Sequence, residues 1–559
     1  MPSCLADSHL KVRHKFCGVT ICVLLCCAPG IALAQTQPYY MVDGDRVELQ
    51  PSQNYRAFRL DLPPDIQPST VPERLGSSVN AAVSPALARH NIVVVPTGGP
   101  MSTEGLRSSL NRLGTITSEP PVYSVGGVDH VLINEFVVQF EEGISEDQAN
   151  STINEFGGTI RDASDAGRGR YYVEFPDTDE REALSRSNRL SQSSNVRYSE
   201  PNLIRLYPAR PRGERRRGAL DNPGCAPSDI RSDERFSCQW GLDNRGTPVG
   251  IADADINAID AWSLLAKPPT LPPRNQAEPT IVAVVDEGVD IEHEDLREII
   301  VTPYDAVEDD DDQQPLPADA HGTACAGIIG AVADNVTGVA GVAQGIKILP
   351  VRIATGNIFG RWDTDNRIIA RGIEEAVDRG ADILSNSWGG GAPANLINDA
   401  IDYGIGKGRV FVFAAGNDFS PVGYPAQLST SRPIIAVSAT NEWDEFKSPS
   451  SQDGEDWWGS NFGPEIVVAA PGVHIHTTDI SGTAGYDSGN YTPTFNGTSS
   501  ATPFVAGIAA LILSRNPDLT PEQVREIISK NADDLGDPGF DEFFGHGRVN
   551  AAKALQAVN

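Results

Sequence analysis

Residues 496–507 read Asn-Gly-Thr-Ser-Ser-Ala-Thr-Pro-Phe-Val-Ala-Gly, and the chain continues as Ile-Ala-Ala-Leu-Ile-Leu to residue 513. Turn residues followed by an almost continuous apolar run predict a turn that leads into a buried helix. Ser499 lies at this turn, where unpaired backbone N–H groups and the positive end of the helix dipole favour a developing negative charge. This segment alone leaves two interpretations open: Ser499 is a nucleophile, or it is an ordinary serine cap of a helix.

Two other segments favour the nucleophile. Residues 281–286 read Ile-Val-Ala-Val-Val-Asp, which predicts a buried parallel strand with Asp286 at its carboxyl end, the edge where catalytic groups gather in open α/β sheets. His321 precedes a run of small residues that predicts a further helix. A histidine can take the proton of a serine, while a buried acid fixes the tautomer of the imidazole. The chain order Asp, His, Ser is one of the known orders of such triads.

These three segments resemble the signatures of the subtilase family of serine peptidases, and residues 413–417, Phe-Ala-Ala-Gly-Asn, resemble its oxyanion segment. The resemblance covers roughly residues 239–559. It implies that Asp286 orients His321, that His321 is the general base and acid, and that Ser499 attacks the substrate. The side chain of Asn417 and the backbone N–H of Ser499 would then stabilise the oxyanion.

The resemblance also implies a substrate-binding edge. Ser387, Trp388 and Gly389 follow a predicted strand and would contact the backbone of an extended peptide. Trp388 could at the same time cover the end of the sheet. Gly423 would lie at the wall of the primary pocket, beside a Tyr424–Pro425 bond that is cis in the family.

The fold expected for the peptidase unit is α/β, with a parallel sheet covered by helices on both faces, because predicted strands and helices alternate along it. Before it, residues 131–207 alternate as strand, helix, strand, strand, helix and strand, which fits a ferredoxin-like α+β unit. This unit also resembles the subtilase propeptide, so the chain's own propeptide is expected to act as its inhibitor. An ordinary binding domain is the alternative. A further N-terminal α/β segment is predicted before it.

Residues 1–34 resemble an export signal: basic residues precede an apolar core, and Ala32-Leu33-Ala34 is a small-residue cleavage site. The apolar core is too short for a membrane anchor, and we expect a secreted protein, extracellular or periplasmic. Residues 208–220 hold five arginines with prolines and glycines, which predicts an exposed processing linker. The expected division is therefore 1–34 signal peptide, 35–130 N-terminal pro-region, 131–207 inhibitory propeptide, 208–224 processing linker and 225–559 catalytic domain.

The chain has 559 residues, with 75 acidic and 44 basic side chains and a net charge of −31. This charge argues against nucleic acid as a partner. Three of its eight cysteines lie beyond the leader. Cys225 and Cys238 can pair in an oxidising compartment, and Cys325, one helical turn after His321, is expected to be a buried, unreactive thiol.

No cofactor is expected for catalysis, but calcium is considered as a structural ion. Asp295 and Asn335 match two ligand positions of the family's calcium loop, and hard oxygen ligands suit this ion. A tight turn without metal is the alternative. The acidic run at 308–312 is a second candidate, with solvated charge as its alternative.

The sequence therefore predicts a secreted serine endopeptidase that is made as a self-processed precursor and acts on proteins or peptides. Two other functions stay open. A peptide acyl transferase or ligase on the same fold would pass the acyl group to an amine instead of water. A non-catalytic binding protein would keep the fold without the reaction.

Overall fold

The computed structural model describes residues 37–558, apart from 77, 78, 80, 209–224, 226–227, 247–249, 266–278 and 357–361. The predicted signal peptide and most of the predicted processing linker lie outside the described residues. The strands in chain order are β1 Tyr39–Val42, β2 Asp45–Glu48, β3 Gln50–Pro51, β4 Tyr55–Asp61, β5 Ile92–Pro96, β6 Thr115–Ser118, β7 Val122–Val125, β8 Val128–Phe140, β9 Thr159–Asp162, β10 Arg170–Glu174, β11 Val196–Leu206, β12 Ile281–Asp286, β13 Tyr304–Asp305, β14 Lys347–Arg352, β15 Thr355–Gly356, β16 Trp362–Asp365, β17 Ile383–Asn386, β18 Val410–Ala414, β19 Ile435–Thr440, β20 Val468–Pro471, β21 Ile475–Thr478 and β22 Tyr491–Phe495. The α-helices are α1 Val71–Leu75, α2 Pro85–Ala88, α3 Thr103–Leu110, α4 Glu146–Glu155, α5 Glu180–Leu190, α6 Ala258–Ser263, α7 His321–Gly330, α8 Asn366–Asp378, α9 Asn395–Gly406, α10 Thr498–Arg515, α11 Pro521–Lys530 and α12 Ala551–Ala557. Within the described part of the chain, no helix combines the length and apolarity needed to cross a membrane.

A seven-stranded parallel sheet forms the centre of the C-terminal part, in the order β13-β14-β12-β17-β18-β19-β20. Alternate residues of β12 point into different layers. Val282 and Val284 pack with α6, α7, α10, α11 and α12, whereas Ala283 and Val285 pack with α8 and α9. Burial on both faces explains why this strand is apolar throughout instead of alternating. The fold class predicted for this part is confirmed.

Residues that precede the parallel sheet in the chain form a second sheet, whose antiparallel strands have the order β11-β8-β10-β9. With α4 between β8 and β9 and α5 between β10 and β11, this is the ferredoxin-like arrangement predicted for the segment. Ser145 and Gln148 form the predicted capping box at the start of α4. One difference concerns the boundary: β8 begins at Val128, so the strand crosses the expected division at 130/131. Its extra residues pair with β7 and with the end of β11.

The ferredoxin-like sheet is buried on both faces. One face holds Val138 and Val173 and packs against α4 and α5. The other face, with Val137 and Ile204, shares a core with α8 and α9 of the peptidase unit. β11, the outermost strand of the ferredoxin-like unit, also pairs antiparallel with β16, so one hydrogen-bonded sheet continues from this unit into the peptidase unit.

The segment before the ferredoxin-like unit differs from the α/β prediction. Its strands are antiparallel: β1 and β2 form a hairpin, and β4 pairs with both β5 and β6. The three-stranded sheet and α3 enclose a small core that includes Phe58, Val93 and Leu106. The segment is therefore of the α+β type, because short connections join neighbouring strands in opposite directions.

The loop at 441–458 is built around the buried ammonium group of Lys447, which has no solvent exposure. Its Nζ lies 2.9 Å from Asp453 Oδ1, 2.6 Å from the carbonyl oxygen of Glu455 and 5.0 Å from the centre of the Trp458 ring. Trp458 is buried and Trp457 is exposed. Trp458 therefore packs against the ammonium group and anchors the loop.

We expect Lys447→Met to lower the free energy of unfolding by about 3–5 kcal/mol, because it leaves Asp453 buried without its counter-ion. Lys553→Met is the matched control. Lys553 pairs with Asp533 at the surface with half of its side chain exposed, so its loss should cost about 0–1 kcal/mol. Urea unfolding of the two variants and the parent measures both values. Equal losses in the two variants would contradict this view of the loop.

Candidate active site

Asp286 is the last residue of β12 and is fully buried. It lies in register with Arg352, the last residue of β14, at the carboxyl edge of the parallel sheet. The backbone N–H of Glu287 donates to Asp286 Oδ1 over 2.9 Å. The predicted position at the strand end is therefore the observed one, and a backbone donor stabilises the ionised carboxylate.

His321 is the first residue of α7, and its Nδ1 lies 2.9 Å from each carboxylate oxygen of Asp286. An ionised carboxylate only accepts hydrogen bonds, so Nδ1 carries the proton. Nε2 of the neutral ring is then the nitrogen with the lone pair, which is the atom that a general base needs.

Ser499 is the second residue of α10, and 6% of its surface is exposed. No side chain caps the start of this helix, so Ser499 does not have the ordinary capping role. Its hydroxyl donates to the carbonyl oxygen of Ser387 over 3.0 Å. Cys325 is buried, and its Sγ lies 3.9 Å from His321 Nδ1 and 3.6 Å from the carbonyl oxygen of Ser499. The sulfur atom of Cys325 therefore contacts both the imidazole of His321 and the backbone of Ser499.

Asn417 follows β18 and lies against the start of α10. Its Oδ1 accepts from the backbone N–H of Thr498 over 2.8 Å and from the Thr498 hydroxyl over 3.0 Å. With the carbonyl oxygen engaged in this way, the amide nitrogen Nδ2 remains as a donor. Gly497, with φ 117°, has no side chain here, and a Cβ atom would lie 3.3 Å from that nitrogen. The turn therefore keeps the space in front of the amide open.

The predicted substrate-binding residues line the same edge of the sheet. Ser387 lies directly beyond β17, and its hydroxyl donates to the carbonyl oxygen of Ser499 over 2.9 Å. Trp388 is buried and its ring packs edge-on against Phe413, 5.6 Å between centroids, so it covers the sheet end. A Cβ on Gly389 would lie 3.3 Å from the carbonyl oxygen of Tyr424. Gly423 donates to the carbonyl oxygen of Ala415 over 3.3 Å, and the Tyr424–Pro425 bond is cis, as the resemblance implied.

Glu287 is a site residue that sequence reasoning missed. Its buried carboxylate accepts the backbone N–H of His321 over 2.7 Å and also the indole N–H of Trp362. The Trp362 ring stands edge-on to the imidazole of His321, 5.6 Å between centroids. Glu287 thus ties the first residue of α7 to β16. The only local signal was an acid directly after Asp286, which gives no indication of its distant partners.

Sequence reasoning also missed a charged cluster that lies beside the turn before Ser499. His474 Nδ1 lies 2.7 Å from Glu442 Oε1, and its Nε2 lies 3.3 Å from Glu455 Oε1. Burial lowers the pKa of His474, but the two carboxylates outweigh it and raise the pKa to about 10. Asn496, three residues before Ser499, donates to Glu455 over 2.7 Å and accepts the backbone N–H of His474 over 2.6 Å. The cluster therefore holds the start of the turn.

The chain as a whole is similar to known proteins. A model of the subtilase family matches residues 278–547. A calcium-dependent protease of Nostoc sp. is 30% identical over 530 residues, which cover 85% of this chain and 72% of that protein. Thermitase of Thermoactinomyces vulgaris is 37% identical over 276 residues, 49% of this chain and 88% of its own length.

The chain belongs to the subtilase family. Among solved structures, fervidolysin of Fervidobacterium pennivorans, described as a keratinolytic enzyme related to subtilisin, covers 78% of this chain and 61% of its own. Its TM-score is 0.57 and its identity 24%, so this likeness supports the fold alone. As a subtilase, the protein is a serine-type endopeptidase.

The two candidate calcium ligands of this subtilase lie together. Asn335 Nδ2 donates to Asp295 Oδ1 over 2.8 Å, and Asp295 Oδ2 accepts the backbone N–H of Val339 over 2.9 Å. Asp233, which the sequence did not suggest, accepts the backbone N–H groups of Asp334 and Asn335. Burial raises the pKa of Asp295 to about 7, and the charge of Asp233 acts in the same direction. Two buried carboxylates and an amide are a donor set that suits a hard cation.

The acidic run at 308–312 has a different environment. Asp309 pairs with Arg371 over 2.9 Å, and Asp311 pairs with Arg379 over 2.9 Å, both arginines coming from the region of α8. Two of the five acids of the run are thus paired with arginine, and both of these carboxylates are more than half exposed. Nearer the start of the peptidase unit, Cys225 and Cys238 form a disulfide with Cα atoms 5.4 Å apart.

The raised pKa of Asp295 makes a pH-dependent contribution to stability when calcium is absent. Its folded pKa of about 7 exceeds the ordinary aspartate pKa of 3.8, so the folded state holds the proton more tightly. This contribution is therefore fully present below about pH 4 and is lost as the pH rises towards 7. We expect Asp295→Asn to flatten the fall in unfolding free energy over this range in chelator. The measurement is urea unfolding at several pH values, with the exposed Asp518→Asn as the control that should leave the slope unchanged.

Proposed function

We propose that this subtilase hydrolyses peptide bonds through Ser499, His321 and Asp286. The observation that carries the proposal is the buried contact between Asp286 and His321 Nδ1, 2.9 Å long, beside the turn that presents Ser499. In the resting arrangement the Ser499 hydroxyl donates to Ser387. That hydrogen bond must break before the hydroxyl can give its proton to His321.

The reaction then follows from the proton positions. Ser499 Oγ attacks the peptide carbonyl while its proton moves to His321 Nε2, and Asp286 stabilises the imidazolium that forms. The oxyanion accepts from Asn417 Nδ2 and from the backbone N–H of Ser499, at the positive end of the α10 dipole. His321 returns the proton to the leaving amine. A water molecule, deprotonated by the same base, hydrolyses the acyl-enzyme.

We also propose that the chain is an exported precursor: residues 1–34 direct export, 131–207 inhibit, and cleavage falls within 208–224. Support comes from the strand β11, which pairs antiparallel with β16 and continues with a hydrogen bond from Tyr207 N–H to the carbonyl oxygen of Trp362, 2.9 Å long. Trp362 contacts His321, so this strand runs towards the catalytic groups. The carboxylate of Glu200, fully buried, accepts two backbone N–H groups at the start of α9 and fixes the same unit to the peptidase unit.

Ser499→Ala tests the reaction and the processing together. We expect casein hydrolysis to fall by about 10⁴-fold or more, because the nucleophile is lost, and the precursor to keep residues before about 222. Ser500→Ala is the matched control, since the Ser500 hydroxyl donates only to the turn carbonyls of Gly472 and Gly497. Casein assays and intact mass measurement read out both effects. Undiminished hydrolysis by Ser499→Ala would falsify the assignment.

We propose calcium as a structural ion bound by Asp295, Asn335 and Asp233, with loop carbonyls completing the site. The backbone of this loop supports the proposal: Val336 has φ 69°, a strained conformation for a β-branched residue, at an exposed position. Two relatives are named calcium-dependent proteases, from Nostoc sp. and Trichormus variabilis. Bound calcium would stabilise the charged form of Asp295.

We expect calcium at 100 times its dissociation constant to stabilise the protein by about 2.7 kcal/mol. Asp295→Asn should abolish most of that gain, whereas Asp311→Asn, in the arginine-paired acidic run, should leave it intact. Thermal unfolding with calcium and with chelator measures the gain, and titration calorimetry measures binding directly. A calcium effect lost in Asp311→Asn but kept in Asp295→Asn would place the ion elsewhere.

A further inference from the structure

Arg205 of β11 is the largest fully buried side chain of the described residues. Its Nε donates to Asn366 Oδ1 over 2.7 Å, its Nη2 to the carbonyl oxygen of Ala392 over 2.6 Å, and its Nη1 to that of Gly390 over 3.4 Å. A buried guanidinium is costly unless its donors are satisfied, and here three separate nitrogens have acceptors. The side chain is therefore bound in a fitted pocket.

Every one of these acceptors belongs to the peptidase unit, while Arg205 belongs to the ferredoxin-like unit before the predicted linker. A glycine of the peptidase unit leaves space for the guanidinium group. Gly391 has φ +85°, and a Cβ there would lie 3.0 Å from Arg205 Nη1. A side chain at residue 391 would thus press on the guanidinium. The three acceptors lie at the start of α8 and in the segment after β17, both in the peptidase unit.

The backbone around Arg205 is extended and pairs with β16 as an added strand, with Ile204 opposite Asp365, Arg205 opposite Thr364 and Leu206 opposite Asp363. Main-chain hydrogen bonds of this kind accept almost any sequence, and selection comes from pockets for individual side chains. A substrate that takes the place of β11 on this edge would direct a side chain into the same pocket.

We propose that Asn366, Gly390 and Ala392 form a guanidinium-binding subsite, which selects arginine in an extended substrate on the N-terminal side of the cleaved bond. This inference rests on the proposed function, because it needs peptides that bind along β16 and are cut. Arginine is favoured over lysine because its planar fork reaches acceptors on different sides, while an ammonium group is a compact point charge. Cleavage would be favoured where such an arginine lies at one fixed distance from the bond.

The test uses the processed protein obtained from the full chain and fluorogenic peptides in which one arginine occupies each position from the fourth to the eighth residue before the cleaved bond. Citrulline replaces arginine in matched peptides, which removes the charge and keeps the shape, and lysine forms a third set. We expect kcat/KM to be about tenfold higher for arginine than for citrulline at one position, with lysine between them. Equal rates for arginine and citrulline at every position would overturn the subsite while leaving the peptidase function intact.

Asn366→Asp gives an independent readout. The residue is the first of α8, where an added carboxylate suits the helix dipole, so the variant should fold. A carboxylate in place of the amide should raise the ratio of arginine to citrulline cleavage several-fold at the same position, and an unchanged or lower ratio would contradict the proposal. Hydrolysis of none of the peptides would contradict the peptidase function itself and the subsite with it.

Discussion

The contact between Asp286 and His321 is the interaction on which the rest of the site depends, because it joins residues 35 apart in the chain and fixes the imidazole tautomer. This contact requires the first turn of α7 to pack closely against the backbone that follows β12. Gly322 permits this approach, since a Cβ there would lie 2.2 Å from the carbonyl oxygen of Gly288. The parallel sheet supplies the rest: β17 lies beside β12 and β18 beside β17, so Ser387 and Asn417 follow strands that end at the same edge. The order of the strands in the sheet thus brings the side chains of the candidate site together.

The peptidase unit and the ferredoxin-like unit are joined through one strand, β16. β16 carries Trp362, which contacts His321 on one side and is bonded to Glu287 on another, and it also pairs with β11. A short chain of contacts therefore connects the strand paired with β16 to His321, the first residue of α7. Backbone pairing holds the two units together without regard to sequence, and single buried side chains such as Arg205 and Glu200 give the pairing its register.

The sequence was sufficient for features that local patterns specify. The β-branched run of β12, the apolar helix α10, the capping box of α4 and the alternating elements of the ferredoxin-like unit all leave periodic or positional signals. Contacts between distant residues leave none. Glu287 and Trp362 are 75 positions apart, a lysine in a polar loop predicts exposure although Lys447 is buried, and the antiparallel pairing of β4 with β5 and β6 depends on partners chosen only after folding.

The hydrogen-bonding edge of β16 has a consequence for the lifetime of the protein. In the proposed processing, β11 would leave β16, and a row of backbone donors and acceptors would then be open to any extended chain. Locally unfolded segments of other copies of the same protein would then compete with substrate polypeptides for that edge. Resistance to autolysis would then depend on how rarely surface loops open, so the contacts that hold loops in place, such as those of Lys447, Asp309 and Asp311, would lengthen the working half-life.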